Sequence, residues 1–228
     1  MRVLALGAHP DDIEIFMFGA LAAWKAAGAE LTFTIATDGA KGGTGDRREL
    51  ARTRRSEAQT AADLLGADLL FLDFPDGALV ADAALDGALK ALMNDVEPDI
   101  VVTHARNDYH GDHRALSDAV AIAASFTAPV IYADTLQGVG AEPTFFVDIT
   151  GYFALKTEAI RCHVSQDPER FVLAAGSHNA FRASQCNAPV GAYAEAYGFK
   201  PIYPFADIRA LLPPAPPVRP VRNRSKLL

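Results

Sequence analysis

Apolar and polar positions along this chain repeat with two periods, one suited to strands and one to helices. Val3-Leu4-Ala5-Leu6, Leu31-Thr32-Phe33-Thr34-Ile35, Leu69-Leu70-Phe71-Leu72 and Ile100-Val101-Val102-Thr103 are short apolar or β-branched runs that read as buried strands. Val130-Ile131-Tyr132 and Phe145-Phe146-Val147 read as two later, shorter ones. Between them, Ile15 to Ala27, Arg47 to Leu65, Ala83 to Val96 and Arg114 to Ser125 carry helix-forming composition, with Gly28 and Gly66 at helix stops. Strand, helix and strand at this rhythm predict right-handed βαβ units and a mostly parallel sheet covered on both faces.

The rhythm changes beyond Gly151. Helical patterns over Tyr152 to Cys162 and Pro168 to Ala175 lead into Gly176 to Ala192, a loop-prone stretch rich in Asn, Ser and Gly. From Leu212 the chain holds five prolines and four basic residues with few apolar anchors, which predicts a segment extended over the surface or disordered. The expected fold is thus α/β: a single-domain, Rossmann-like, mostly parallel sheet with helices on both faces and a C-terminal helical and loop addition. Residues 1–211 form the domain and 212–228 a Pro-rich basic tail. A length of 228 residues supports one substantial core rather than two.

Charge and cysteine content narrow the function classes. A formal net charge of −7 argues against a nucleic-acid partner, because phosphate-backbone binding needs clustered Lys and Arg. The densest basic stretch, Arg47-Arg48 to Arg54-Arg55, is interrupted by Glu49 and Glu57 and reads as a solvated helix face. Cys162 and Cys186 form no Cys-x-x-Cys pair, which fits a reducing compartment. No signal-like leader opens the sequence, and no apolar run approaches the roughly 20 residues of a membrane span. The expectation is a cytoplasmic protein with no membrane span, for which a homo-oligomer is compatible.

Chemistry concentrates at two predicted strand ends. Ala8-His9-Pro10-Asp11-Asp12 follows the first strand, and His110-Gly111-Asp112-His113 follows the fourth. Of six histidines, His9, His104, His110 and His113 lie there, interleaved with Asp11, Asp12 and Asp112. His9, Asp12 and His113 supply two imidazoles and a carboxylate, which suffice for one divalent metal with a position left for water. Asp11 and Asp12 are neighbours whose side chains cannot point the same way. With Asp12 on the metal, Asp11 is free to act as general base on a water whose pKa the metal lowers towards about 7. The helix beginning there would favour both ionised carboxylates. A helix N-cap is the other role open to Asp11.

His110 and His113 are three apart and can face one site, one as ligand and the other reaching the reacting group. Asp112 can fix an imidazole tautomer, and His104 can be either a buried structural partner or such a supporting group. Gly39, Gly42, Gly43 and Gly45 make a loop without the Gly-Lys-Ser/Thr of a P-loop, and Gly7-Ala8-His9-Pro10 is not a dinucleotide fingerprint. A mobile cover beside the metal is the expected role of that loop.

These residues resemble the two signature motifs of the PIG-L/LmbE-like zinc-dependent deacetylases. The likeness continues through Thr37-Asp38-Gly39, Arg55-Ser56-Glu57, Phe74-Pro75-Asp76-Gly77, His163-Val164-Ser165-Gln166 and Tyr193-Ala194-Glu195, roughly residues 1 to 200. The resemblance implies removal of an acetyl group from an N-acetylated amino sugar or sugar conjugate. It implies His9, Asp12 and His113 as ligands of Zn2+ (or another divalent metal such as Fe2+), Asp11 as base, His110 as oxyanion stabiliser or acid to the leaving amine, and Asp112 as the group that orients an imidazole. Arg55, Tyr109 and His163 are assigned to substrate binding, Arg55 with a solvated helix position as its alternative. Phe16-Met17-Phe18 departs from the small residues common in the family, so the helix there packs differently or narrows the pocket. Ser184-Gln185-Cys186-Asn187-Ala188 lacks an expected Arg-Gly.

Three rival readings share some of these features. A metal-dependent amidase or esterase on a non-sugar substrate would use the same site. A non-haem iron oxygenase also uses two His and a carboxylate, but usually on β-rich scaffolds. A non-catalytic sugar-binding relative would be expected to lack the base.

Overall fold

Alternate residues of the first strand seed two different cores. In the computed structural model, which describes residues 1–222, Val3 and Ala5 of β1 (Arg2–Gly7) pack with Phe18, Trp24, Leu31 and Phe33. Leu4 and Leu6 pack on the opposite face with Leu85, Leu89, Leu116 and Val120. The same two-residue alternation runs through β4 (Ile100–Thr103), where Ile100 and Val102 join the first cluster and Val101 the second. Continuous apolar runs are what a sheet buried on both faces requires. Each such side chain taken fully from water contributes about 1.5–3 kcal/mol before the entropy of ordering it is charged.

The strands β2 (Glu30–Thr37), β3 (Asp68–Phe74), β5 (Val130–Ala133), β6 (Phe145–Asp148) and β7 (Ala194–Gly198) complete a seven-stranded sheet in the order β3-β2-β1-β4-β5-β7-β6. The first five neighbours pair in parallel, and β7 runs antiparallel to both β5 and β6. Helices α4 (Ala83–Val96) and α5 (Gly111–Ala123) cover one face. Helices α2 (Phe18–Ala26), α3 (Arg47–Asp63) and α6 (Phe153–Arg161) cover the other. Capping fixes several of these boundaries. Asp82 accepts from the N–H groups of Ala84 and Leu85 at the start of α4, and Asp46 from that of Glu49 at the start of α3. Gly28 and Gly66 lie just past helix ends with φ of 88° and 55°, the left-handed region that favours glycine.

Three expectations are corrected. The helix expected from Ile15 to Ala27 begins earlier, as α1 (Asp12–Phe16), and breaks at Met17, whose φ is −140°. The break is held by Glu195 of β7, which accepts from the N–H groups of Gly19 and Ala20 at 2.9 and 2.8 Å. The stretch expected as loop from Gly176 is largely helical, because α7 (Pro168–Gln185) continues through it with Ala175, Asn179, Arg182 and Ala183 buried. Beyond α7 the chain returns to the sheet as β7, so the C-terminal part closes the sheet as well as adding helix and loop. From Leu212 to Arg222 the chain lies extended and tied down: Pro214 O accepts from Asp148 N–H, and Asn187 and Arg219 exchange two hydrogen bonds. The rest of the expected tail, residues 223–228, falls outside the described residues.

Candidate metal centre and catalytic cleft

Strand order 3-2-1-4-5 reverses direction between β1 and β4, and ligands of open α/β sheets bind in the crevice beyond the strand ends at that switch. His9, Asp11 and Asp12 leave β1 there, and His104, His110 and His113 leave β4. Ala8 N–H donates to His104 Nε2 at 3.0 Å, tying the two strand ends together.

Asp12 is the hub. Its Oδ2 accepts from His9 N–H at 2.7 Å and lies 3.2 Å from His9 Nδ1, while its Oδ1 lies 3.3 Å from His113 Nε2. The far nitrogens of both imidazoles meet other carboxylates. His9 Nε2 faces Asp112 Oδ2 at 3.1 Å and Asp76 Oδ1 at 3.3 Å, and His113 Nδ1 faces Asp108 Oδ2 at 3.1 Å. Those carboxylates are held in turn by backbone: Asp112 accepts from Gly77 and Leu79, Asp76 from Lys41, and Asp108 from His110. The hydrogen-bond network therefore makes His9 Nε2 and His113 Nδ1 donors to their outer carboxylates, and turns His9 Nδ1 and His113 Nε2 towards Asp12, where a proton or a cation can sit between each nitrogen and the carboxylate.

Burial opposes protonation of His9, yet Asp112, Asp12 and Asp76 outweigh it and push its pKa up to about 12. Burial likewise opposes charge on His113, and Asp12 and Asp108 raise it to about 9. Burial would raise Asp12, but the imidazoles of His113 and His104 hold it well below the ordinary carboxylate range. A cluster this rich in carboxylate attracts positive charge, which protons supply here and a divalent cation can supply in their place.

Among the described residues, the groups whose donor atoms all lie within 4.8 Å of one another are His9 with His110 and His113, Asp12 with His104 and His113, and His9 with Asp76 and Asp112, whereas His9 and His113 each meet Asp12 pairwise, on different oxygens. Hydrogen bonding argues against each. His104 Nε2 already accepts the Ala8 N–H, and burial holds that imidazole down to about 4, so it serves as a structural tie. His110 Nδ1 accepts from Asp112 N–H at 3.2 Å, which leaves the proton on Nε2 and makes that nitrogen a donor. Asp76 and Asp112 receive the His9 Nε2 proton.

Asp11 takes φ of 126°, a backbone conformation that non-glycine residues rarely adopt, and this turns its carboxylate away from that of Asp12. It stands in the N-cap position of α1 without making a cap hydrogen bond, so capping is not its function. Burial raises its pKa, and Arg54 Nη2, 3.1 Å from Oδ1, works against that rise. Burial is the largest influence on this carboxyl.

Arg54 is the residue that sequence reasoning missed by one position. It is buried, donates to the carbonyls of Gly39 and Pro10, and lines the cleft. Arg55, the expected substrate contact, points the other way: half exposed, it pairs with Asp73 and stacks on Phe71, outside the cleft. His163 is fully buried beside Glu14, 3.2 Å from Oε2, and does not line the cleft. Tyr109 is exposed and lines the cleft. Asp76 and Asp108 were not singled out, although Asp76 lies just past the end of β3 and Asp108 shortly precedes the second motif. The glycine loop does border the cleft through Lys41 and Gly42, but its near half is tethered by Arg54 and Asp76.

The cleft, about 380 Å³, is of a size for a small polar molecule. Residues 4–124, more than half the sequence and spanning both motifs, match the GlcNAc-PI de-N-acetylase (PIG-L) family. The chain belongs to the PIG-L family. Among relatives, diacetylchitobiose deacetylase of Thermococcus kodakarensis is 29% identical over 189 residues, 74% of this chain and 71% of that protein. The 4-oxalmesaconate hydratase of Pseudomonas putida is 26% identical over 189 residues, 72% of this chain and 73% of that one. The solved structure of N,N'-diacetylchitobiose deacetylase from Pyrococcus horikoshii superposes with a TM-score of 0.77 at 24% identity, covering 92% of this chain and 88% of that one. PIG-L membership accounts for the mostly parallel sheet and for the motifs at the ends of β1 and β4. Among the described residues, no helix is long and apolar enough to cross a membrane.

Proposed function

We propose that this protein is a zinc-dependent hydrolase that removes the acetyl group from an N-acetylated amino sugar or sugar conjugate. The observation that carries the reading is the approach of two imidazole nitrogens, His9 Nδ1 and His113 Nε2, to the Asp12 carboxylate, with the separate carboxylate of Asp11 buried beside them. His9, Asp12 and His113 would hold the metal, Zn2+ or another divalent ion such as Fe2+. When bound there, such an ion polarises an amide carbonyl and makes water more acidic.

The chain's own groups supply the rest. Asp11, whose burial makes it a better base than an exposed carboxylate, takes the proton of the attacking water. His110 presents Nε2–H to the oxygen that becomes negative as the carbonyl carbon turns tetrahedral. The C–N bond then breaks, and Asp11 returns its proton to the departing amine. Acetic acid and an amine result, which separate as acetate and the protonated amine once the acid's proton passes to the nitrogen, so that atoms and charge balance. Asp112 and Asp108 fix the two imidazoles, and Arg54 fixes Asp11. The name of the Thermococcus relative, a deacetylase of diacetylchitobiose, supports a sugar substrate.

The hydratase relative motivates a second reading, addition of water to an unsaturated carboxylic acid, in which Lys41 at the cleft would meet a carboxylate. One experiment separates the two. The zinc-loaded protein is given N-acetylglucosamine, diacetylchitobiose and N-acetylated conjugates with acetate release measured, and unsaturated dicarboxylic acids with loss of their ultraviolet absorbance measured. Acetate release without hydration is the expected result, and hydration without acetate release would transfer the site to the second reading.

A further inference from the structure

The cleft is lined by unlike groups. Lys41, Asp76 and Tyr109 are polar, and Ile15, Phe16 and Leu136 are apolar. The same three apolar residues border a second, smaller cavity of about 20 Å³, room for one water-sized group. Ala174, Ala175 and Asn179 of α7 form its far wall. The carboxylates that reach this cavity are already engaged, Asp134 by His178 and Arg182, and Glu195 by Lys156 and Tyr197. Phe16 thus stands between cleft and cavity, edge-on to His113 with 5.9 Å between ring centroids.

An N-acetylated sugar offers hydroxyls to polar groups, and one methyl, adjacent to the carbonyl under attack, to apolar ones. We propose that Ile15, Phe16 and Leu136 form the acyl subsite of this enzyme, and that Phe16 closes off the cavity behind it and restricts the substrate to acetyl and similarly short N-acyl groups. This inference rests on the deacetylase reading. An acetyl methyl ends at the Phe16 ring, and a longer chain can extend only where that ring is absent. The apolar groups therefore set acyl length, and the polar groups of the cleft set the sugar.

The test uses the full-length, zinc-loaded wild type and Phe16→Ala with N-acetyl-, N-butanoyl- and N-hexanoylglucosamine, following amine release. In the wild type kcat/KM should fall steeply beyond acetyl. In Phe16→Ala the butanoyl-to-acetyl ratio should rise on the order of tenfold, because each of two added methylenes gains about fourfold on apolar burial. Refilling the cavity in Phe16→Ala/Ala175→Leu should return the ratio towards wild type. Because Phe16 touches His113, metal content is measured throughout, and Phe16→Leu provides a milder enlargement that retains an apolar side chain there. An unchanged ratio in metal-replete Phe16→Ala and Phe16→Leu would overturn the proposal. If the wild type releases no amine from any of these sugars, the deacetylase reading fails by itself. The subsite is then judged by calorimetric binding of acetate, butanoate and hexanoate. A tenfold shift towards butanoate in Phe16→Ala supports it, and an unchanged preference overturns it.

Discussion

Asp11 and Asp12 are chain neighbours with different surroundings, and one unusual backbone angle separates them. Asp12 is held among imidazoles, and Asp11 is turned towards Arg54. Asp11→Asn should therefore retain the metal while losing about two to four orders of magnitude in kcat, the usual worth of a positioned general base. Asp12→Asn should lose metal and activity together, with both read from metal analysis beside turnover. Near-normal turnover in Asp11→Asn would move the base elsewhere, with His110 the first candidate. Asp108 makes a third case, because it meets His113 on the nitrogen that faces away from Asp12. Asp108→Asn should weaken zinc affinity by about 10–100-fold, measured by chelator competition, without removing a ligand. Much of this site was legible in the sequence, because ligand-competent residues cluster directly after two apolar runs. Arg54 was legible too, but only through helix phase. The buried face of α3 runs Arg54, Ala58, Ala61, and Arg55 lies off it. A motif read as a string of letters selects Arg55, outside the cleft, and a 3.6-residue period selects Arg54, which lines it.

Elements after Gly151 were less legible for a physical reason. α7 presents few large apolar residues, and the faces it buries are made of Ala, Asn and Arg, so its pattern resembles a loop. β7 reads Ala194-Glu195-Ala196-Tyr197-Gly198, where a buried Glu replaces the apolar signal of a central strand. That Glu is satisfied four times over, by Lys156 Nζ at 2.6 Å, Tyr197 Oη at 2.6 Å and the N–H groups of Gly19 and Ala20. Glu195→Ala would strand the buried Lys156 ammonium and uncap α2, and should cost about 3–5 kcal/mol in urea unfolding. Pairing it with Lys156→Met should recover part of that loss. Asp134, between α7 and β5, supplies a pH signature. Burial opposes its ionisation, but His178 and Arg182 pull its pKa below the usual carboxylate range. A value lower in the folded state stabilises the fold above the unfolded pKa of about 3.9, and that contribution is lost as pH falls through the folded value. The stability gap between wild type and Asp134→Asn should therefore narrow from pH 6 to pH 3. A gap constant over that range would show that the carboxylate contributes no such term.

At the scale of the whole molecule, the segment that follows β7, as far as Arg222, is part of the body rather than an appendage. Leu211 O accepts from the indole of buried Trp24 at 2.7 Å, and Pro214 O pairs with Asp148 of the edge strand β6. Deleting everything after Asp207 should lower the thermal midpoint, because a buried indole N–H and an edge strand both lose their acceptors. An unchanged midpoint would mean that water replaces these contacts at no cost.

The position of β7 also dictates when the cleft can first be complete as the chain emerges from synthesis. The parallel strands β3, β2, β1, β4 and β5, together with every side chain that meets Asp12, are available once residue 133 has been made. Glu195, which fixes the N-terminus of α2 and so the break after Phe16, comes more than sixty residues later. Until then β5 presents an unpaired edge, and the helical turn carrying Asp12 and Phe16 lacks its anchor. Completion of the cleft is therefore a late event in the life of the chain, dependent on a strand that lies apart from the Asp12 cluster, and it reports that the sheet has closed.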